Sequence, residues 1–383
     1  MNACLSEKQK DEFLRRGFSR RSFGRIAALV SGGAAALPFF NEPAMAQLSA
    51  LHGAIPPDAV MINANENPLG PCPEAREAVK AIVDKGGRYL YQETFTFQDT
   101  LAEQEGLKSS YVMPFAGSSA PLHQSVVAFT SPTRAFVTAD PGYEAGERAA
   151  HYINAKLIRV PLTKTFAHDV RAMVAADPNA GLYYICNPNN PTGTLTPKED
   201  IEWLVANKPA GSVVMIDEAY THIAGAPFMT QLVAEDKDVI LLRTFSKIYG
   251  MAGLRAGAAM ARPDLLAKLS HWSAGMMPIT GMVGATVSLK QKDLVPERRK
   301  KIGDVRADVL SFLDQHNFKH TPSVSNCFMV DVGRPGGEII AAMQKEKVYI
   351  GRVWPSWPTH VRVTVGTQEE MNKFKTAFLK VMA

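Results

Sequence analysis

Short apolar runs alternate with helical stretches along the middle of the chain, and this alternation constrains the fold more than any other feature. The runs are RAFVTA (134–139), AKLIRV (155–160), GLYYIC (181–186), SVVMID (212–217), VILLRTF (239–245) and AGAAMA (256–261). Their nearly continuous hydrophobicity is typical of strands buried on both faces. In one intervening segment, Thr196 and Pro197 are predicted to begin a helix, with Thr196 as its cap. Repeated β-α units predict an α/β fold in which helices sandwich a mainly parallel sheet.

The pattern changes after about residue 290. A long charged helix is predicted over 295–315, and short strands and helices follow it. A chain of 383 residues has room for a large domain and a smaller one. We expect a leader over 1–46, an N-terminal segment over 47–80 that joins the small domain, a large domain over 81–288 and a small α+β domain over 289–383.

The first 46 residues have the pattern of an export signal. Arg20 and Arg21 precede a weakly apolar stretch rich in Ala and Gly, which ends in a small-residue AMA site before Gln47. Ser19 and Phe23 around the pair make the segment similar to a twin-arginine signal. A membrane anchor is the alternative, but residues 26–40 supply only about fifteen apolar positions where a spanning helix needs ~20. We expect export by the twin-arginine translocase, cleavage, and a mature protein in the periplasm.

Charge and cysteine content argue against several classes of function. The leader holds seven of the 42 basic and four of the 37 acidic residues, so the remainder is nearly balanced. No basic stripe is interleaved with aromatic residues, and we expect no nucleic-acid partner. The four cysteines form no CxxC pair and lie near no histidine at ligand spacing, so we predict neither a metal site nor a disulfide framework.

Polar clusters lie at the ends of four of the apolar runs and of the short run MPFA (113–116), at the edge of a parallel sheet where ligands bind. They are Gly117-Ser118-Ser119, Asp140-Pro141-Gly142-Tyr143, NPNNPTG (187–193), Asp217-Glu218-Ala219-Tyr220 and Ser246-Lys247. Taken singly, each is explained by a turn, a helix cap or a solvated side chain. Their common position at one sheet edge favours a ligand site, and the first cluster suits an anion because a helix follows it.

The order of the motifs resembles that of the fold-type I pyridoxal-phosphate aminotransferases, and most closely the histidinol-phosphate aminotransferase branch. The matching stretches are INANENPLGPCPEA (62–75), AGSS (116–119), DPGY (140–143), NPNNPTG, DEAY (217–220), RTFSKIYGMAGLRAG (243–257) and VRVTVGT (361–367). They extend from about residue 55 nearly to the C-terminus. Any one of them is weak alone, but NPNNPTG, DEAY and SK-x6-GLR together are highly specific.

The resemblance implies pyridoxal 5'-phosphate as the cofactor and assigns residues to it. Lys247 is the lysine that binds the cofactor covalently and moves the proton at the substrate α-carbon, which explains why a lysine ends a core strand. Asp217 keeps the pyridine nitrogen protonated, Tyr220 and Asn190 contact the ring's 3′-oxygen, and Tyr143 stacks on the ring. The cofactor phosphate is assigned to Gly117, Ser118, Ser119, Thr244, Ser246 and Arg255.

The resemblance also assigns the substrate side of the site. Arg362 binds the α-carboxylate, Asn65 contributes to substrate binding, and Arg352 stands about where the histidinol-phosphate enzymes hold the substrate phosphate. The loop VWPSWPTH between the two arginines is unlike that of the family. Without the resemblance, Arg362 would be an edge-strand surface arginine, and a surface arginine stacked on a tryptophan remains the alternative for Arg352. Tyr89, in preference to Tyr91, is assigned to the cofactor of the partner subunit, which implies a homodimer.

The implied activity is transfer of an amino group between an amino acid, or an amine like one, and a 2-oxo acid. Because histidine synthesis is cytoplasmic, export favours a donor other than histidinol phosphate. The alternatives are a lyase, cyclase or oxidase reaction on the same fold, a cytoplasmic histidinol-phosphate aminotransferase, or a non-catalytic binding protein. The intact Lys247, Asp217, Asn190 and Arg362 argue against the last. The lack of a GxGxxG turn argues against a nicotinamide dehydrogenase.

Overall fold

The computed structural model describes residues 6–30, 55–272 and 276–383, with the backbone alone for 27–30. Its strands are β1 (Val60–Ile62), β2 (Val112–Phe115), β3 (Phe136–Asp140), β4 (Leu157–Pro161), β5 (Leu182–Cys186), β6 (Val213–Asp217), β7 (Val239–Thr244), β8 (Gly257–Ala261), β9 (Cys327–Asp331), β10 (Val348–Ile350) and β11 (His360–Thr364). The apolar runs singled out above all form strands. The predicted α/β fold is confirmed.

Helices cover the strands on both sides of the main sheet. They are α1 (Glu7–Arg15), α2 (Ser22–Val30), α3 (Pro73–Val83), α4 (Tyr91–Glu105), α5 (Ser119–Phe129), α6 (Ala145–Ile153), α7 (Val170–Ala175), α8 (Lys198–Asn207), α9 (Thr221–Ala224), α10 (Thr230–Ala234), α11 (Pro263–Ser270), α12 (Ile279–Leu289), α13 (Leu294–Gln315), α14 (Gly336–Lys345) and α15 (Gln368–Met382). The long charged helix predicted from the sequence is α13. No helix of the described ranges combines the length and the hydrophobicity that a membrane crossing requires.

The central sheet has seven strands in the order β2-β8-β7-β6-β5-β3-β4. The pairs from β7 through β6, β5 and β3 to β4 are parallel, and β8 runs antiparallel to both of its neighbours. All residues of β5, β6, β7 and β8 are buried. Burial on both faces explains why these strands are almost uniformly apolar.

Two short sheets form the C-terminal part of the fold. β1 pairs in parallel with β10, and β9 pairs antiparallel with β11. The N-terminal segment therefore contributes a strand to the C-terminal unit, which brings the residues after β1 next to the main sheet. The domain boundaries at residues 81 and 289 stay predictions.

Part of the predicted leader is folded against the rest of the chain. Residues 6–30 form α1 and α2, and α2 packs against α5 and α6. The AMA site and Gln47, where we expect cleavage, lie outside the described residues.

His168 links the segment before α7 to the segment before α8. Its backbone N–H and its Nδ1 both lie within hydrogen-bond distance of Thr196 Oγ1, at 3.0 and 2.8 Å. The prediction that Thr196 caps α8 is wrong, because Pro197 occupies the cap position and the threonine hydroxyl is used by His168. Complete burial lowers the pKa of His168 to about 4.

We expect this buried histidine to make the fold less stable in acid. The folded-state pKa lies below the unfolded value, so the unfolded chain binds more protons, and stability present above about pH 6.5 is lost as the pH falls toward 4. Linkage gives a loss of about 2 kcal/mol in the free energy of unfolding between pH 7 and pH 5 from this group. Denaturant unfolding of His168→Gln at both pH values should show a correspondingly smaller difference. The exposed His151 provides the control, and a His151→Gln variant should keep the full pH dependence.

Candidate active site

A cavity of about 490 Å³ opens at the carboxyl edge of the main sheet. Its lining residues are Ala64, Glu66, Ser118, Ser119, Tyr143, Cys186, Asn190, Asp217, Ala219, Tyr220, Thr244, Ser246, Lys247, Ala252, Gly253 and Arg255. They come from the segment after β1 and from the ends of β2, β3, β5, β6 and β7. A second cavity of about 500 Å³ lies between β10 and α15 and is lined mainly by surface lysines, glutamates and other polar groups. The first cavity is where the predicted site residues converge.

Lys247 and Asp217 are buried charged groups on neighbouring strands. Asp217 ends β6, Lys247 lies three residues beyond β7, and the two side chains are 3 % and 8 % exposed. The ammonium of Lys247 lies 5.6 Å from the centre of the Tyr220 ring. An amine and a carboxylate held together in a nearly dry cavity are suited to covalent binding and proton transfer.

Tyr184 positions the carboxylate of Asp217. Its hydroxyl donates a 2.9 Å hydrogen bond to Oδ2, while Oδ1 accepts a 3.1 Å bond from the backbone N–H of Ala219. Burial, with the charge of Asp217 as the second cause, raises the pKa of Tyr184 well above its usual value. The tyrosine therefore remains protonated and acts as the hydrogen-bond donor to Asp217.

Asn65 and Arg362, from the part of the fold that carries the small sheets, are not in the cavity lining but contact residues that are. The amide of Asn65 donates to the hydroxyl of Tyr220 at 3.0 Å, and its backbone N–H donates to Thr364 Oγ1 at 2.9 Å. Arg362 donates to Asn190 Oδ1 at 3.0 Å and to the backbone carbonyl of Asn63. The Nε of this buried arginine has no hydrogen-bond partner in the described part of the chain. Since Arg362 forms no ion pair with any of the described residues, its guanidinium is suited to bind a carboxylate.

The opposite end of the cavity is built to hold an anion. Ser118 and Ser119 lie at the N-terminus of α5, and Thr244, Ser246 and Arg255 line the same cavity. Backbone N–H groups at a helix N-terminus and an arginine together favour a phosphate group.

Gly117 allows Arg255 to reach this end of the cavity. A Cβ at residue 117 would lie 2.4 Å from Arg255 Nη2, and the backbone φ of +85° is one that other residues rarely adopt. The guanidinium is fixed by donating to the backbone carbonyls of Ala252 at 2.9 Å and Ala116 at 3.2 Å. The glycine therefore acts through the position of the arginine.

These groups fit a phosphorylated aromatic cofactor that carries an aldehyde. The hydroxyls and Arg255 match a phosphate, Asp217 matches a protonated ring nitrogen, and Lys247 is the amine that an aldehyde requires. Tyr143 and Ala219 line the same cavity. The cavity thus accommodates the parts of pyridoxal phosphate with residues of the matching chemistry.

Arg352 does not line this cavity. Its guanidinium forms a two-point ion pair with Glu144, with one N–O distance of 2.6 Å, and its carbon lies 4.2 Å from the centre of a Trp354 ring. The alternative of a surface arginine stacked on a tryptophan is therefore half right. Arg352 stacks on Trp354, but its side chain is buried and does not lie on the surface. Burial lowers the pKa of Arg352, and the charge of Glu144 acts in the opposite direction.

Tyr89 also lies outside the cavity of its own chain. It is 72 % exposed, and its ring centre lies 5.7 Å from that of Tyr91. Its assignment to a partner subunit stays a prediction.

Sequence reasoning missed Tyr184, Glu144 and Cys186. Tyr184 and Cys186 belong to the run GLYYIC, which was interpreted only as a core strand. A hydroxyl two residues before the strand end was the available signal for Tyr184, since alternate residues of a strand share a face. Glu144 directly follows DPGY, but its partner lies 208 positions away and no local pattern identifies it.

Comparison with known proteins gives consistent results. The family model for aminotransferase class I and II matches residues 57–378. A histidinol-phosphate aminotransferase of Moorella thermoacetica is 30% identical over 334 residues, covering 85% of this chain and 86% of its own length. An aromatic amino acid aminotransferase of Cutibacterium acnes is 30% identical over 343 residues, with coverage of 88% and 94%.

A solved structure extends this similarity to the fold. The histidinol-phosphate aminotransferase from Sinorhizobium meliloti, in complex with pyridoxal-5'-phosphate, superposes with a TM-score of 0.77 at 26% identity. The superposition covers 84% of this chain and 90% of that chain.

We expect Tyr184→Phe to lower kcat/KM by roughly 10- to 150-fold, because a hydrogen bond to a carboxylate contributes about 1.5–3 kcal/mol. Tyr183 provides a matched control, since it is the preceding residue of the same strand and its buried hydroxyl has no partner among the described residues. Tyr183→Phe should leave the rate unchanged. Equal losses in the two variants, measured with thermal unfolding in parallel, would show that Tyr184 acts only on stability.

Proposed function

The chain belongs to the class I and II aminotransferase family and is a pyridoxal-phosphate-dependent enzyme. On this premise we propose that it transfers an amino group to a 2-oxo acid from an amino acid whose side chain has an uncharged distal group. The observation that carries the choice of donor is the ion pair between Arg352 and Glu144. The contacts around Lys247, Arg362 and Arg352 support the proposal in turn.

Lys247 binds the cofactor and moves a proton at the substrate α-carbon. When bound, pyridoxal phosphate supplies a sink for the electrons left at that carbon. With the cofactor bound, Asp217, held by Tyr184, would keep the ring nitrogen protonated, and Tyr220, held by Asn65, would donate toward the ring oxygen together with Asn190. The burial of Lys247 and Asp217 excludes water from the proton-transfer step.

Arg362 binds the α-carboxylate of donor and acceptor. Asn190 and the carbonyl of Asn63 occupy two of its nitrogens and fix the plane of the guanidinium. The unpartnered Nε and the 3 % exposure of the side chain mean that an incoming carboxylate meets a poorly solvated charge. Such a pair forms with every amino acid, whatever its side chain.

Arg352 is not available for a distal phosphate. Glu144 satisfies two of its nitrogens and cancels its charge, while Trp354 covers the guanidinium face. A substrate phosphate would have to displace the Glu144 carboxylate from Arg352. The side chain of Glu144, which is only 20 % exposed, would then lie without its partner beside the phosphate dianion. Leaving a largely buried carboxylate without its ion-pair partner is strongly unfavourable. The loop therefore selects against donors such as histidinol phosphate.

A donor panel tests this assignment. With 2-oxoglutarate as the acceptor, amino acids with neutral side chains should give kcat/KM at least ~10-fold above histidinol phosphate, because only the latter must break the ion pair. Turnover should stop when the 2-oxo acid is omitted, whereas a lyase, cyclase or oxidase would continue. Histidinol phosphate as the best donor would contradict the proposal.

The Glu144→Gln variant sharpens the same experiment. It leaves Arg352 with an uncompensated charge, so activity toward the phosphorylated donor should rise relative to neutral donors. Glu147→Gln, one turn along α6 and paired with Arg159, is the control that should leave the ratio unchanged. Arg362→Ala should instead weaken all amino-acid donors by a similar factor.

A homodimer with shared sites is part of this proposal. Four large apolar side chains of α3, α4 and the segment between them are more than half exposed: Val83, Tyr89, Tyr91 and Phe95. A group of exposed aromatic rings on one part of a chain is typical of a protein–protein interface. Contact with a second copy would cover them and bring Tyr89 toward the partner's cofactor.

We also propose that the enzyme is exported to the periplasm by the twin-arginine route. The exposed Arg20 and Arg21, together with the Ala- and Gly-rich stretch after them, support this location. Changing both arginines to lysine should leave the precursor in the cytoplasm, and N-terminal sequencing of the periplasmic enzyme should begin at or near Gln47. A periplasmic protein that retains residues 1–46 would contradict cleavage of the leader.

A further inference from the structure

Helix α1 of the leader has complete capping at both ends. At its start, the backbone N–H of Gln9 donates to Ser6 Oγ at 3.3 Å, and Gln9 Oε1 accepts from the backbone N–H of Ser6 at 2.8 Å. This reciprocal pair is a capping box, and it satisfies donors that a helix start otherwise leaves open. The sequence before the arginine pair therefore specifies a defined helix.

The end of α1 is a Schellman turn that folds the chain back. Gly17 has a φ of +86° and donates to the carbonyl of Leu14, while the N–H of Phe18 donates to the carbonyl of Phe13, each at 3.0 Å. The rings of Phe13 and Phe18 then meet with their centres 5.3 Å apart. An apolar contact at this position is characteristic of the motif and stabilises the turn.

The apolar side chains of this unit are buried against the large domain. Phe13, Phe18 and Ile26 are each 2 % exposed or less, whereas their neighbour Leu14 is 38 % exposed. The ring centre of Phe13 lies 5.2 Å from that of Trp272, just beyond α11. One face of the leader is thus covered by the body, as in an amphipathic helix docked on a core.

Arg16 anchors the same unit by polar contacts. Its Nη2 donates to the backbone carbonyls of Val127 and Thr130, the latter at 2.7 Å, at the C-terminal end of α5. A positive charge is favourable at this end of a helix, where carbonyls have no partner within the helix. Burial between the rings of Phe13 and Phe18 lowers the pKa of Arg16 to about 10.

The arginine pair points away from this contact. Arg20 and Arg21 are exposed, while Ser22, which follows them, is 5 % exposed. Both precede the first turn of α2, which contains no acidic residue, so their charges oppose the helix dipole. Arg20 and Arg21 are therefore not stabilised by the dipole of α2. Their exposure suits binding to a partner surface that carries carboxylates or other anions.

We propose that residues 6–26 dock on the folded large domain as one unit and that this docking holds Arg20 and Arg21 outward for an anionic surface of the export machinery. The docking contact stands on the geometry alone, whereas the role of the pair rests on the proposed export. The signal is then read on a folded enzyme, with the body of the protein fixing its orientation. A leader that is not docked on the large domain would present the same arginines without a fixed orientation.

Hydrogen exchange of the full-length precursor tests the docking. The amide hydrogens of Gly17 and Phe18 should exchange slowly in the parent chain, and Phe13→Ser with Phe18→Ser should accelerate them by at least ~10-fold. Arg16→Gln should act in the same direction. The exposed Leu14→Ser is the control that should leave exchange unchanged, and bound-cofactor absorbance reports that the body remains folded. Exchange at the rate of an unstructured peptide in the parent would overturn the docking.

Cell fractionation tests the role of the pair with the same variants. The double serine variant should be exported several-fold more slowly than the parent, and Leu14→Ser at the parental rate. If the double serine variant is exported at the parental rate, the proposal that docking orients Arg20 and Arg21 for export is wrong. A chain with both arginines changed to lysine should keep slow exchange but remain in the cytoplasm. If it is exported normally, the twin-arginine proposal fails while the docking result stands.

Discussion

The parallel register of three buried strands is the constraint on which the site depends. Cys186 of β5 lies opposite Asp217 of β6, which in turn lies opposite Leu242 of β7. Since parallel strands end at the same edge, this register brings the segments after them to one cavity. A slip of one residue would turn Asp217 to the other face of the sheet. The chemistry of the site is therefore specified by backbone pairing before any side chain contact is made.

The alternation of side chains along these strands divides polar groups between two faces. Asp217 and Thr244 line the cavity, while their neighbours Glu218 and Arg243 meet on the other side at 2.7 Å. Arg243 also pairs with Glu105 of α4, and Glu218 accepts a 2.8 Å bond from the N–H of Met229. A buried arginine with two carboxylates is tolerable because each charge is hydrogen-bonded. The network fixes the strand ends behind the cavity and leaves Asp217 for the chemistry in front.

The contact between the C-terminal unit and the large domain gives two arginines different partners. Arg362 reaches Asn190 and forms no ion pair with any of the described residues, so its charge is available for a carboxylate. Arg352, ten positions earlier, meets Glu144 and has no free charge to offer. The two arginines thus differ in whether their charge is already paired, and the difference comes from one glutamate after β3. This is where the chain departs from what its similarity to histidinol-phosphate enzymes would suggest.

The sequence by itself determined the strands, the long charged helix and the residues at the strand ends, because hydrophobic periodicity and short motifs are local. It also singled out Lys247, Asp217 and Arg255, which the structure brings into the lining of one cavity, while their chemical roles stay predictions. Tertiary structure alone decided that Arg352 is paired with Glu144, that Tyr184 supports Asp217, and that the leader packs on the body through Phe13. Each of these is a contact between residues distant in the chain, and its energy depends on burial and geometry that no local pattern contains.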